Sequence, residues 1–479
     1  MTDAGRWRLA GTFGLGLGTA ALFFSQFTTA FPLTEYCMRR HPSFVLPLFE
    51  QARYTAISGQ KFLLVLVAAS LAYLAALWLA QRLRDTPAAL LLLGMVPIGL
   101  VLALAPGYPV LSGDLFRYLF DGRILAVYGR NPFVDMPLEF PDDYLYSHIY
   151  FRSEVSAYGP LWQLAAAGTA LVGGVSCVNS ALLVKSWPCL AYLATTAALY
   201  VMFRRWQPER AIWGTMVYAW NPLVALEALQ NGHNDVVAAL PTAGAVWFAL
   251  RGSARWALVL LAVAALVKPL ALLLGPAVLL ALLRGPSSSI RDTAWGLVVA
   301  AALTALGYLP FWAGLDTFQG LLRYHLFDGS PAKALLEALQ HLGVALEPAM
   351  TLATTVASGL FLLLLGLLIW ATWSRRLDAL TAAHGCLFVY LLLGAQWFNP
   401  WYLLWIAPLS ALTPDRSLRA LGIAFLLLAP LEYTVGYASL PAVLLIFLPL
   451  ALLALRRPSL FGWPSSAERA PRTEALAGA

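Results

Sequence analysis

Ser112-Gly113-Asp114-Leu115-Phe116-Arg117-Tyr118-Leu119-Phe120-Asp121-Gly122-Arg123 carries the first group of residues suited to chemistry. Read as a helix, it puts Asp114, Arg117, Tyr118 and Asp121 at i, i+3, i+4 and i+7, on one polar face. Leu115, Phe116, Leu119, Phe120 and Ile124 form the opposite, apolar face. A carboxylate beside a guanidinium suits proton transfer next to an anion. The same pattern also describes an amphipathic helix lying in a membrane interface, its carboxylates toward water.

A second group is Glu227-Ala228-Leu229-Gln230-Asn231-Gly232-His233-Asn234-Asp235, which follows Asn221-Pro222-Leu223. A Glu, a His and an Asp at the end of an apolar stretch are costly to bury and mark a site. The alternative is a solvated turn built on Asn-Gly. A metal centre is the weaker reading, since His233 and Asp235 are two apart with no second His nearby. Lys268, just before Pro269, falls within an apolar stretch and needs a carboxylate or an anion there. Snorkelling, pairing with a carboxylate such as Glu227, and binding of a phosphate are the options. Asn131-Pro132-Phe133 reads as a turn, and Tyr158-Gly159-Pro160-Leu161-Trp162 as a helix start with interfacial aromatics. Gln396-Trp397-Phe398-Asn399-Pro400-Trp401-Tyr402 reads as an aromatic belt or a platform for sugar rings or lipid. Arg323-Tyr324-His325-Leu326-Phe327-Asp328-Gly329 echoes residues 117–122 and is read as coincidence.

The elements that must hold these residues are set by composition. The chain has 479 residues, 60% apolar and 11% charged. Soluble chains carry roughly 25% charged residues. A soluble enzyme, a disordered protein and a nucleic-acid-binding domain are thereby excluded. The expected fold is an all-α polytopic membrane protein: a bundle of about 13–14 transmembrane helices, with an amphipathic interfacial helix and long outer loops. Apolar stretches fall near 9–30, 62–81, 88–106, 180–203, 211–230, 235–250, 256–283, 293–311, 351–372, 380–398, 400–412, 418–437 and 441–455. Residues 9–30 read as a retained first helix rather than a cleaved signal. Stretch 256–283 should break at Lys268-Pro269 into two short helices. If 161–175 dips without crossing, the short basic loops all fall on the cytoplasmic side, as the positive-inside rule demands. Loops 107–157 and 312–350 then lie outside and hold much of the acidic charge. Residues 1–455 form one membrane domain in this reading, and 456–479 a cytoplasmic tail. Cys37, Cys177, Cys189 and Cys386 are scattered, implying neither a zinc site nor a disulfide framework.

In their order along residues 107–410, these motifs resemble the bacterial polyprenol-phosphate-mannose-dependent mannosyltransferases of the GT-C superfamily. The carrying residues are Gly113-Asp114, Gly129-x-Asn131-Pro132-Phe133, Tyr158-Gly159-Pro160-Leu161-Trp162, Asn221-Pro222-Leu223, Gly232-His233-Asn234-Asp235, Lys268-Pro269 and Pro400-Trp401-Tyr402. The resemblance implies a lipid-linked sugar donor, an active site facing away from the cytoplasm in the inner (plasma) membrane, and a catalytic Asp at position 114. Relatives carry Phe-Asn where this chain has Phe327-Asp328.

The expected reaction is transfer of a hexose, mannose first, from polyprenol phosphate to a hydroxyl of a glycan, glycolipid or other acceptor, with inversion. Asp114 would be the general base. Arg117, Arg123, Lys268 and His233 would stabilise the donor phosphate. Asp121, Tyr158, Glu227, Asn234, Asp235 and Trp401 would bind sugar or acceptor. No cofactor is expected, and a divalent metal is not indicated. The competing reading is a lipid-linked sugar flippase or transporter without transferase chemistry.

Overall fold

The computed structural model describes residues 3–37, 59–284, 289–321, 327–435 and 440–455. The expected tail, 456–479, and the Arg323–Leu326 part of the echo lie outside these. Among the described residues every regular element is helical, apart from isolated bridges such as Pro32 to Gly107. The chain is an all-α polytopic membrane protein.

The longer helices are α1 (Asp3–Phe23), α2 (Gly59–Ala80), α3 (Pro87–Leu104), α4 (Asp114–Ala126), α5 (Pro160–Gly173), α6 (Cys177–Trp206), α7 (Ala211–Ala219), α8 (Asp235–Leu250) and α9 (Ala254–Val267). After them come α10 (Gly275–Arg284), α11 (Ile290–Tyr308), α12 (Pro331–His341), α13 (Leu346–Trp373), α14 (Ala379–Val389), α15 (Arg416–Leu428) and α16 (Leu440–Leu455). Among the described residues, seven helices are long and apolar enough to cross a bilayer: Gly5–Thr28, Lys61–Ala80, Pro87–Leu104, Cys177–Trp206, Ile290–Phe311, Leu346–Trp373 and Arg416–Thr434. Other apolar helices are shorter, including Asp235–Leu250 and Ala379–Gly394.

Two expected spans are broken helices. Stretch 211–230 divides into α7, a single turn Pro222–Ala225 and a π turn Leu226–Gln230. The cause is Pro222, which has no N–H to continue the ladder, and Asn221, whose side chain caps the new start by accepting from the N–H groups of Leu223 and Val224. Stretch 400–412 likewise divides into a 3-10 segment Pro400–Trp405 and a short helix Ala407–Leu412. The expected break at Lys268 is present, between α9 and a 3-10 segment Pro269–Leu274.

The chain forms two compact units. The first comprises Met1–Leu240, Ala262–Pro269 and Ala301–Arg323. Inside it, Tyr73 on α2 donates to the Val217 carbonyl of α7 at 2.8 Å. Rings of Tyr36, Tyr108, Phe116 and His148 contact in sequence. Cys37 and Cys177 form a disulfide. That corrects the expectation of no disulfide: the pair is separated by 140 residues and only folding brings it together. The second unit comprises Pro241–Leu261, Leu270–Ala300 and Tyr324–Ala479. Its described core includes Leu336 of α12 against Ala349 and Ala353 of α13.

Helix α4 does not turn its whole polar face to water as expected. Residues 115–124 are all buried, its polar face included. Arg117 and Asp121 neutralise each other on that face at 2.7 Å. Helix α5 packs so closely that a Cβ at Gly122 would stand 2.4 Å from the Ala166 carbonyl oxygen.

Candidate active site

Asp114 is the first residue of α4, where the free N–H groups of a helix start favour a carboxylate. Its Oδ2 accepts a hydrogen bond from the Tyr158 hydroxyl at 3.2 Å. The same Oδ2 lies 3.7 Å from His233 Nδ1. The other ring nitrogen, His233 Nε2, lies 3.3 Å from Glu227 Oε2. The Asn231 amide donates to that Glu227 oxygen at 2.9 Å.

The backbone that carries Glu227 and His233 is unusual for local reasons. Glu227 sits in the π turn Leu226–Gln230, the kind of bulge that widens a helix and re-aims its side chains. The chain then reverses at Gly232, with φ of +74°. A Cβ there would meet Leu115 Cδ1 at 3.1 Å and Lys185 Cγ at 3.2 Å, so glycine alone fits. The reversal is closed by the His233 N–H donating to the Glu227 carbonyl at 3.0 Å.

A second pair adjoins the first. Lys268 Nζ lies 2.7 Å from Asp235 Oδ1 and 5.3 Å from the centre of the Tyr158 ring, a cation–π distance. Lys268 is set there by its neighbours. The Gly159 N–H donates to the Val267 carbonyl at 3.0 Å, and a Cβ at Gly159 would fall 2.1 Å from the Leu266 carbonyl oxygen. The Tyr-Gly-Pro motif thus docks backbone to backbone beside the lysine. The Tyr118 hydroxyl donates to Asn234 Oδ1 at 3.2 Å. Burial first, then the neighbouring Tyr158, Asp114 and Asp235, holds the Tyr118 phenol well above its usual value, so it stays a donor.

Exposure separates the carboxylates. The side chain of Asp114 keeps 22% of its accessible surface. Glu227, Asp235 and Asp121 keep none. Of the expected cations, Lys268 keeps 15% and His233 none.

The structure therefore gathers Asp114, Tyr158, Glu227, His233, Asn234, Asp235 and Lys268. It commits the others elsewhere. Arg117 donates to Asp121, to the Phe151 carbonyl and to the Glu154 carbonyl, each at 2.7 Å. Arg123 pairs with Asp143 at 2.7 Å and covers the Tyr144 ring. Both guanidiniums are engaged in holding the loop after α4. Asn131 likewise acts in a turn, its amide donating to the Phe311 carbonyl at 2.8 Å. Lys268 pairs with Asp235 rather than Glu227. Trp401 is a buried residue of the second unit. Nearby in that unit, Tyr402 and Trp405 stack at 4.6 Å. Among the described residues, no group of three or more His, Cys, Asp and Glu is arranged to hold a metal ion.

Two residues were missed by the sequence reading. Asn231 joins Glu227 to the segment before α4, accepting from the Leu111 N–H at 3.1 Å. Lys185, fully buried on α6, donates to the Ala105 and Gly107 carbonyls that end α3. A lysine in an otherwise apolar span was the available signal for the second.

Comparison with known families now bears on the cluster. Residues 15–284, more than half of the chain, match the alpha-(1->6)-mannopyranosyltransferase family, N-terminal domain. The chain belongs to this family. This mannosyltransferase is a membrane glycosyltransferase, in keeping with the GT-C resemblance of its motifs. The matched residues span the whole Asp114–Lys268 cluster of the mannosyltransferase. No curated protein matches the chain.

Proposed function

We propose that the enzyme moves mannose from polyprenol phosphate to a sugar hydroxyl on the extracytoplasmic face, by a single displacement with inversion. The observation that carries the reading is the exposure of Asp114 beside fully buried Glu227 and Asp235. A sugar hydroxyl attacks only as its proton is removed, and Asp114 is the carboxylate of the cluster that a substrate can touch. As the new bond forms at the anomeric carbon, the bond to the phosphate oxygen breaks and its electron pair leaves with the phosphate. The proton passes to Asp114. One displacement inverts the anomeric carbon, and no carboxylate nucleophile is needed.

The leaving phosphate requires a cation. Arg117 and Arg123 are engaged internally, and His233 is fully buried. Lys268, partly exposed and with three N–H donors, is the phosphate ligand in this reading. Tyr158, bonded to Asp114, orients the sugar or acceptor. The alpha-(1->6) linkage of the family favours the 6-hydroxyl of a mannoside as acceptor.

The disulfide supports an extracytoplasmic site. Disulfides persist in oxidising compartments. Cys37 ends a segment bonded to the approach to Asp114: the Leu33 N–H donates to the Pro106 carbonyl, and the Tyr108 N–H to the Phe31 carbonyl. The charge distribution of the loops points the same way.

The test is incubation of membranes containing the enzyme with labelled polyprenol-phosphate mannose and an octyl α-mannoside. Label in a disaccharide product of inverted configuration supports the reading. Transfer from a nucleotide-sugar alone, or lipid movement without product, would refute it.

A further inference from the structure

His233 lies between two carboxylates, Asp114 at 3.7 Å from Nδ1 and Glu227 at 3.3 Å from Nε2. The ring thus bridges the two carboxylates, one facing each nitrogen. Glu227 is fully buried. The Asn231 amide and the His233–Glu227 backbone bond fix its orientation. The other charged and titratable groups around the ring are committed. The Lys185 stem packs on Gly232 while its ammonium serves two carbonyls. Lys268 pairs with Asp235. The Tyr158 hydroxyl binds the same Asp114 oxygen that His233 faces, Oδ2.

We infer that His233 is a positioning residue for the base, and that Glu227 acts through it. Glu227 holds the His233 ring in place, and the ring keeps Asp114 turned so that Oδ1 meets the acceptor hydroxyl. His233 and Glu227 touch neither the donor phosphate nor the sugar, which departs from the roles their types suggested. The inference rests on Asp114 being the base.

The experiment measures kcat and donor KM for purified enzyme with labelled polyprenol-phosphate mannose and an octyl α-mannoside. The variants are Glu227→Gln, His233→Gln and the double variant, with Asp114→Asn alongside. Each single variant should lower kcat by about 10–100-fold with donor KM unchanged, as loss of an orienting partner does. The double variant should be no worse than the worse single one, because Glu227 works through His233. If Glu227→Gln does not fold, Glu227→Asp keeps the charge and should show a smaller kcat loss, again at constant KM. A raised donor KM with kcat unchanged, additive losses, or wild-type kcat would overturn the inference. Turnover in Asp114→Asn would instead defeat the base assignment itself; an inactive Asp114→Asn with a wild-type Glu227→Gln defeats only this inference.

Discussion

Lys268 and Asp235 form a pair whose members are not equally replaceable. Asp235 is fully buried, so Lys268→Ala would leave a charge without its partner. Breaking such a pair costs about 3–5 kcal/mol. Lys268→Ala should therefore unfold at a clearly lower temperature and lose transfer. Adding Asp235→Asn should restore much of the stability but none of the activity, which thermal unfolding in detergent and a transfer assay together would show. At this scale the sequence named most of the cluster, because a Lys, a Glu and a His beside apolar stretches have few bland explanations. It could not show that Arg117 and Arg123 are engaged within the chain. An arginine next to an aspartate reads the same whether its fork meets a ligand or a carbonyl. The carbonyls that engage Arg117 lie 34 and 37 residues away, so no local pattern reveals them.

Asp114 opens α4, Tyr158 precedes α5, Lys268 follows α9, and Glu227, His233, Asn234 and Asp235 run from the π turn to the start of α8. Close backbone approach, permitted by glycine, holds such segments together. Gly159→Ala would drive a Cβ into the Leu266 carbonyl, two residues before Lys268. Rigid backbone cannot yield there, so the cost should reach about 1–3 kcal/mol or more. The variant should show a lower unfolding temperature and weakened transfer; an unchanged enzyme would contradict the docking described. The loop over α4 predicts a pH effect. His148 stacks on Phe116 at 4.8 Å, and burial pushes its imidazole below the usual value. The unfolded chain takes up that proton at about pH 6.5, and the folded chain resists it. This part of the stability is complete above that pH and declines as pH falls below it, toward the lower folded value. Unfolding temperature should drop between neutral and mildly acid pH, and His148→Phe should flatten the slope. Among elements, the break at Lys268 and the helix at Asp114 were legible from Pro269 and from side-chain spacing. The fragmentation of 211–230 was not, since apolar content averages across the Asn221-Pro222 restart. Nor was the burial of the polar face of α4, which depends on the internal pairing of Arg117 with Asp121.

For the molecule as a whole, composition sufficed to place the chain in a membrane, because so few charges cannot coat a soluble body. Pairing of Cys37 with Cys177 could not be read, since scattered cysteines have no preferred partners until the fold is known. Protein made in an oxidising compartment should carry that bond. Its removal by Cys37→Ser with Cys177→Ser should cost about 2–5 kcal/mol. Thiol labelling of denatured protein before and after reduction checks the bond. Cys189 and Cys386 are free, so two thiols should label before reduction and four after it; four before reduction would contradict the bond. The account as a whole depends on Asp114 being the group that takes the acceptor's proton. The most direct measurement is mannose transfer by Asp114→Asn from labelled polyprenol-phosphate mannose, beside donor binding and unfolding temperature. The predicted result is no detectable product from a folded protein that still binds donor. Turnover close to that of the wild type would contradict it.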